Sequence, residues 1–494
     1  MPTISLPTGP TSVDHLGHFR FGRVAGRTLL TSDTGAWLFL GDADFQRLLD
    51  DDIGSDDPLH AELHARGFLR AGIDLDSLAD RVRRKRAFLG RGPHLHVVVV
   101  TRRCNQACRY CHASRTDLHR TDTDMSLETA LEVVKLAFKS SGQHLLFEFQ
   151  GGEPMLNFPA IQLVVDTSIE QNKHEGKILQ HSLVTNLTQM TDERADWLVE
   201  RGVQLCTSLD GPQELHDFNR TWTGGAAYDS VVHWMDAIKA RYVAKGLDPD
   251  LWHVDALMTT TRQSLGQARA IVDAYLERGL KSISLRSLNP YGFAAGTWKA
   301  IGYTAEQWLA FYEEALDYIL ELNRAGTEIV ETTAATVLMK MLTPDDPNFV
   351  DLRSPCGAGI GQVAYDHDGG VYPCDEARML AAMGDRTLEL GKSGGLDGPG
   401  VVRHPTVKAM AVASLLDSLP ACSDCWNLPY CGVCPVHAYK EDGDLFGQRP
   451  ASRWCQEKMG VSRLLFERLA DDDGTDEAIF RRWTVRRPRE DCQA

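Results

Sequence analysis

The 494-residue chain has no apolar run long enough to cross a membrane: Val97–Val100 with its neighbours falls far short of the roughly 20 residues required. It shows no basic-then-apolar stretch near residue 1, no excess of positive charge, and no repeat or low-complexity tract that alters the reading. The expectation is a cytoplasmic protein that works away from membranes. Lys and Arg number 52 against 68 Asp and Glu, a net charge of −16 that argues against broad nucleic-acid binding. With 43% hydrophobic and 24% charged residues the chain is globular rather than disordered, and its length suggests two or three domains. What it does have is cysteine, twelve in all. Without export, structural disulfides are not expected, and the placement points to metal. Three cluster at Cys104, Cys108 and Cys111, and seven lie between Cys356 and Cys455. Cys206 is expected to pack as a small apolar side chain in a buried strand, and Cys492 sits in the tail.

Residues 1–91 read as a small βββαα unit of winged-helix size. Apolar positions at Phe19 and Phe21, Leu29 to Thr31 and Trp37 to Leu40 are separated by Gly22, Gly26 and Gly35. Asp42 is placed to cap a helix carrying Phe45, Leu48 and Leu49, and a second helix runs from about Pro58 to Arg66. The unit is small and acidic for a DNA reader. From residue 92 to about 330, apolar runs at 95–101, 144–150, 178–185, 202–208, 252–259 and 281–287 are spaced for crossover helices. Six parallel strands in a partial (β/α)6 barrel are the expectation, with helices opened by Ser126, Thr191 and a Thr304/Gln307 capping box. Residues 331–470 turn rich in Cys, Gly, Pro and Asp, as a loop-dominated domain held by metal would. The charged tail 471–494 is expected to fray.

Cys104-Asn-Gln-Ala-Cys108-Arg-Tyr-Cys111 follows directly on the first barrel strand. A CxxxCxxC loop supplies three thiolates to a four-iron cluster and leaves one iron open for S-adenosylmethionine (SAM). Zinc is the alternative, with His112 as the closing ligand. The loop, with its aromatic residue before the last cysteine, resembles that of the radical SAM enzymes. Other fragments follow in the order that resemblance implies: Gly151-Gly152-Glu153-Pro154 for the SAM methionine ammonium group, then Thr185-Asn186, then Ser208 to Pro212 for ribose or carboxylate. Tyr110 is expected near the adenine, and Asp210 among the SAM contacts.

The later cysteines, Cys356, Cys374, Cys422, Cys425, Cys431, Cys434 and Cys455, resemble the SPASM domain of peptide-modifying radical SAM enzymes. That resemblance implies two auxiliary [4Fe-4S] clusters and so three in total. Cys422, Cys425, Cys431 and Cys455 would hold the second, and Cys356, Cys374 and Cys434 the first, which departs from the pattern by lacking a further cysteine. Asp375 is a candidate oxygen ligand there, and paired zinc knuckles are the alternative for the whole set. The fold class implied is α/β: a partial (β/α)6 radical SAM barrel, an N-terminal winged-helix-like peptide-recognition unit and a C-terminal SPASM domain.

Across most of the chain, His18-Phe-Arg-Phe21, Leu29 to Asp33, Phe149 to Pro154, Leu285 to Ala294 and Pro355 to Gly361 look like the His-Xaa-Ser-system radical SAM maturases of the HxsB type. The resemblance implies a short ribosomal precursor peptide with a leader, which adds a strand to an open sheet edge. It also implies a low-potential electron donor such as a flavodoxin or ferredoxin, hydrogen abstraction from a side-chain carbon, and an intrapeptide crosslink. Asp210, Asp255 and Asp375 are the candidate proton acceptors, and Arg286 a binder of SAM or peptide. Two alternatives stand beside this: oxidation of serine or cysteine to formylglycine, as in anaerobic sulfatase-maturating enzymes, and a non-enzymatic peptide-binding electron carrier.

Overall fold

The computed structural model describes residues 14–347, 349–470 and 473–485. An antiparallel sheet comes first, β1 (Arg20–Val24), β2 (Arg27–Thr31) and β3 (Trp37–Leu40), then helices Asp42–Leu49, Pro58–Ala65 and Leu75–Lys85. Leu30, Leu38, Leu40, Phe45, Leu48 and Phe68 give it a core of its own. Asp42 is not the cap: Gly41 takes that position, and Asp42 begins the helix, where its charge favours the positive end of the dipole. The helix Leu75–Lys85 was not expected, because charged residues fill it and leave little apolar periodicity. The unit is seated on the cysteine-rich region. A Cβ on Gly22 would come within 2.2 Å of the Trp426 ring, Thr31 Oγ1 donates to the Trp426 carbonyl at 2.8 Å, and Tyr430 Oη donates to the Gly35 carbonyl at 3.0 Å.

Six parallel strands follow: β4 (Leu95–Thr101), β5 (His144–Gly151), β6 (Ile178–Val184), β7 (Gln204–Ser208), β8 (Asp255–Thr259) and β9 (Leu285–Arg286). Ser126 and Thr191 cap the helices Leu127–Phe138 and Asp192–Glu200, and Thr304 with Gln307 forms the capping box of Ala305–Arg324. The run at 281–287 divides, since Ser282–Ile283 pairs with Val330–Glu331 while β9 pairs with β8.

The sheet does not stop at β4. Three more strands, β10 (Gln362–Tyr365), β11 (Gly370–Tyr372) and β12 (Gly391–Lys392), extend it, β10 parallel to β4 and the others antiparallel. The order is β9-β8-β7-β6-β5-β4-β10-β11-β12. β10 is buried along its whole length, as a central strand covered on both faces must be.

In β5 the odd positions Leu145, Phe147 and Phe149 are buried in the core that includes Ile161 and Val165 of the outer helices, while Leu146, Glu148 and Gln150 are half-buried on the inner face. Past the expected frayed point, helix Thr475–Trp483 buries Ile479, Phe480 and Trp483, and Asp476 accepts from Arg324 at 2.6 and 2.8 Å. Alternating charges hide its apolar face in the sequence. Cys492 lies outside the described residues. Among the described residues no helix is long and apolar enough to cross a membrane.

Candidate active site

Parallel strands bring their carboxyl ends to one rim, and the register sets Thr101 beside Gly151, Val184 beside Cys206 and Thr259 beside Arg286. The cysteine loop leaves β4 at this rim. Cys104 N–H donates to the Thr116 carbonyl at 3.1 Å and Cys111 N–H to the Cys108 carbonyl at 3.2 Å, and the stretch Gln106–Cys108 pairs with Arg220–Trp222. Burial raises the Cys104 thiol, and Cys108 and Cys111 facing it add to the rise. Burial likewise pushes Cys108 up to about 11, against the opposing pull of Arg220. Cys104 and Cys108, raised in this way, would release protons on binding a metal.

At Gly151 and Gly152 backbone fills the place a side chain would take. A Cβ on Gly151, at φ 149°, would fall 2.0 Å from the Thr101 carbonyl, and one on Gly152 2.2 Å from that of Arg103. The glycines let the end of β5 press against the start of the cysteine loop. Glu153 is 0% exposed, and its carboxylate accepts from Thr185 Oγ1 and Asn186 N, both at 2.7 Å, and from Met155 N at 3.0 Å. Burial raises its pKa, with these hydrogen bonds opposing. The carboxylate therefore braces the ends of β5 and β6. Pro154 opens the turn Pro154–Asn157. Asn186 Nδ2 donates to Asn105 Oδ1 at 3.0 Å and approaches Cys104 Sγ at 3.9 Å.

Tyr110 is tied to Asp210: its hydroxyl donates to both carboxylate oxygens at 2.7 Å. Arg220, which sequence reasoning missed, donates to Asp210 at 3.2 Å, lies 5.1 Å from the centre of the Tyr110 ring and reaches Cys108 Sγ at 3.9 Å. Burial opposes the Arg220 charge, yet Tyr110, Asp210 and Cys108 together hold its pKa above the ordinary value. Asp210, fully buried and already paired, is a clamp on the cysteine loop and not a free base. The only signal was an arginine just past the Ser208–Pro212 turn.

Asp255 is at the wrong end. It begins β8, away from the rim, is 68% exposed and pairs with His253 at 3.3 Å. Arg286 ends β9 and lines a cavity of about 380 Å³ with Ser284, Ser287, Asp351 and Trp454. Asp375 accepts from Arg378 at 2.8 Å, and its charge and that of Arg286 act in opposite directions on His112 and Glu148. Burial pushes His112 down to about 4, and the charges around it are those of Asp375 and arginines rather than the cysteines. Ser208 and Cys206 share the inner face of β7, where both are half-buried, so Cys206 is not a core residue. Glu148 was also missed. It accepts from Gln150 Nε2 at 2.5 Å, and burial raises its pKa. An acidic residue at an inward period-2 position of an apolar strand was the available clue.

The later cysteines separate into two sets. Cys422, Cys425, Cys431 and Cys455 line one cavity of about 480 Å³ with Leu428 and Trp454 among its other walls. Cys356, Cys374 and Cys434 are buried in one apolar cluster with Tyr291 and Tyr372. Cys374 and Cys434 are the N-caps of helices Asp375–Ala382 and Pro435–Asp442, where the dipole favours an anion. Among the described residues no group of three or more His, Cys, Asp or Glu is set to hold a single metal ion.

Comparison with known proteins places this geometry. An AdoMet-dependent heme synthase of Nitratidesulfovibrio vulgaris is 23% identical over 74% of this chain and 93% of its own. A cysteine-type anaerobic sulfatase-maturating enzyme of Clostridium perfringens is 24% identical over 55% of this chain and 71% of its own. The fold is similar to that of anSMEcpe with bound AdoMet, at TM-score 0.62 and 16% identity over 78% of this chain and 99% of that one. It is similar also to Streptococcus suis SuiB bound to precursor peptide SuiA, at TM-score 0.52 and 15% identity over 89% and 99%. Residues 98–248, from β4 through the cysteine loop and the Asp210 clamp, match the Radical SAM superfamily, and the chain thus carries the radical SAM domain of an enzyme.

Proposed function

We propose that this enzyme is a peptide maturase of the His-Xaa-Ser type that crosslinks two side chains within a ribosomal precursor peptide. The observation that carries the reading is the joining of a three-cysteine rim loop to two further cysteine sets and to a small sheet seated on one of them, through Gly22, Thr31 and Trp426. Two structures of similar fold hold peptides, SuiA in SuiB and Kp18Cys in anSMEcpe, which supports a peptide substrate here.

A [4Fe-4S] cluster on Cys104, Cys108 and Cys111 with SAM would supply, when bound, one-electron cleavage of the sulfonium and hydrogen abstraction by the resulting 5′-deoxyadenosyl radical. The chain's own residues do the rest. The Tyr110–Asp210–Arg220 clamp fixes the cysteine loop and puts positive charge beside Cys108. The brace of Glu153 with Thr185 and Asn186 sets the rim edge on which a SAM methionine group and ribose would rest, with Ser208 facing the same lumen. Arg286 offers an open guanidinium to a peptide entering from the cavity it lines. Glu148 and Asp375 are the carboxylates placed to take the proton that ring formation releases, and Glu148 is favoured because Asp375 is held by Arg378. The thiols of the two C-terminal sets, buried in the first and half-buried in the second, fit auxiliary [4Fe-4S] clusters, which would accept the accompanying electron from the product radical. A flavodoxin- or ferredoxin-like donor would deliver the electron that starts the cycle.

The test is anaerobic incubation of the reconstituted protein with SAM, reductant and a His-Xaa-Ser precursor peptide. A product lighter by two hydrogens, with its leader required, supports the reading, and an unmodified peptide beside rapid SAM cleavage overturns it. A second reading, formylglycine formation, is favoured by the sulfatase-maturating relative. It predicts instead turnover of a short cysteine- or serine-containing sulfatase peptide that carries no leader.

A further inference from the structure

On the reading above, the two C-terminal cysteine sets hold auxiliary clusters, and one arginine is bonded toward both. Arg449 is 7% exposed and lines the cavity of about 480 Å³ that holds Cys422, Cys425, Cys431 and Cys455. Its guanidinium reaches the first set. Nη1 donates to the Cys434 carbonyl at 3.4 Å, and Nη2 donates to the carbonyls of Leu445 at 2.8 Å and Ala413 at 3.1 Å. Ala413 ends the helix Pro405–Ala413, and the next residue, Ser414, accepts through Oγ from Cys356 N at 2.9 Å. In the other direction, the Arg449 carbonyl accepts from Ser452 Oγ at 2.8 Å, and that Oγ accepts in turn from Cys455 N at 3.2 Å. Cysteines of both sets are thus tied to the segment that Arg449 anchors.

What this guanidinium lacks is a counter-ion. Among the described residues its partners are carbonyls alone, and Nε has no hydrogen-bond partner. Glu441 and Asp442 line a smaller cavity with Arg449, but both are exposed and engaged elsewhere: Glu441 pairs with Lys440 at 3.6 Å, and Asp442 accepts from Gln448 N at 2.9 Å. Carbonyl oxygens and the end of the helix Pro405–Ala413 offset only part of a positive charge. A buried cation calls for an anion, and neutral thiols supply none. A cluster held by four thiolates does, since it carries net negative charge. We propose that Arg449 is the counter-cation of the second auxiliary cluster and, through its bond to the Cys434 carbonyl, a positioning residue between the two sets. Positive charge beside a cluster favours its reduced form, so Arg449 raises the potential of the second cluster and helps it take the electron that the reaction releases.

The experiment uses the full chain reconstituted anaerobically with iron and sulfide, read by iron count and an EPR-monitored redox titration. Cys422→Ala identifies the midpoint of the second cluster by its loss. Wild type is expected to hold about twelve irons per chain, in three clusters. Arg449→Gln keeps an amide donor for the carbonyls and removes the charge. It should move that midpoint to a more negative potential by about 59 mV or more, which is about a tenfold fall in the equilibrium for reduction. Arg449→Lys keeps the charge and loses the fork, and its midpoint should stay nearer to wild type than to Arg449→Gln. A second cluster that loads in Arg449→Lys and not in Arg449→Gln also supports the assignment. An unmoved midpoint in Arg449→Gln, or the same shift or the same iron loss in both variants, shows a peg for the carbonyls alone; it overturns the assignment and leaves the cluster reading standing. About four irons in wild type, or a Cys422→Ala variant that loses no iron, overturns that reading and the assignment with it.

Discussion

The barrel rim and the C-terminal cysteine region gather thiols by different means. At the rim the chain holds its own loop in shape: Glu153 accepts three hydrogen bonds, Asp210 is gripped by Tyr110 and Arg220, and glycine at 151 and 152 lets backbone meet backbone. In the C-terminal region, Cys422, Cys425 and Cys431 lie in a stretch of short turns around a cavity, held by local backbone bonds such as Cys425 N–H to the Cys422 carbonyl at 3.0 Å and by the bonds that Trp426 and Tyr430 make with the N-terminal unit, with no carboxylate clamp like that of the rim. On the proposed function, the rim must change partners during the reaction and is pre-formed, whereas a C-terminal centre that relays electrons would lend its own order to the turns around it.

Removing iron with a chelator should break this comparison most visibly. Amides of residues 416–434 should lose hydrogen-exchange protection while β4 to β7 keep theirs, and uniform loss across the chain would show that the rim depends on metal as well. Next in size is Arg220→Met. Removing one partner of a buried pair costs about 3–5 kcal/mol, so thermal unfolding should come several degrees lower and the rim cluster should load poorly, with Arg220→Lys intermediate. A smaller effect is expected for Gly22→Leu, which drives a side chain into the Trp426 ring. Overpacking of this kind costs about 1–3 kcal/mol. Binding of the leader peptide should weaken while SAM cleavage without peptide stays unchanged.

Acid acts on both regions, since burial pushes His437 of the C-terminal region down to about 4, but the barrel holds more such histidines. Burial pushes His96 down to about 3 and His181 and His216 to about 4, from an ordinary 6.5. The unfolded chain takes up protons below pH 6.5 that the native barrel refuses. Stability is therefore full above that pH and is lost as pH falls toward 4, by about 1.4 kcal/mol per unit for each histidine. Unfolding midpoints measured from pH 7 to 5 should show the slope, and His181→Phe should remove one share of it. Ser168, which His181 meets at 2.8 Å, keeps its bond to the Val165 carbonyl.

Much of the barrel was legible because strand and helix periods are local. The apolar runs from 95 to 287, with the caps Ser126, Thr191 and Thr304, announce themselves within a few residues. The pairing of β10 with β4 was not legible, since it joins segments more than 260 residues apart and a strand of four residues, Gln362–Tyr365, carries no address. The cysteines stood out through spacing, whereas Arg220 and Glu148 did not, because a lone charge reveals its partner only once the fold supplies one. Asp255 misled for a related reason: an acid at the edge of an apolar run can sit at either end of the strand, and only the strand's bounds, with Asp255 first and Thr259 last beside Arg286, put it at the end away from Arg286.

The most direct test of the central claim is formation of 5′-deoxyadenosine by the anaerobically reconstituted enzyme given SAM and dithionite. Steady formation in wild type, falling to background in the Cys104→Ala/Cys108→Ala/Cys111→Ala variant, is the predicted result. Undiminished formation in that variant, or none in a wild-type protein fully loaded with iron, would contradict the account.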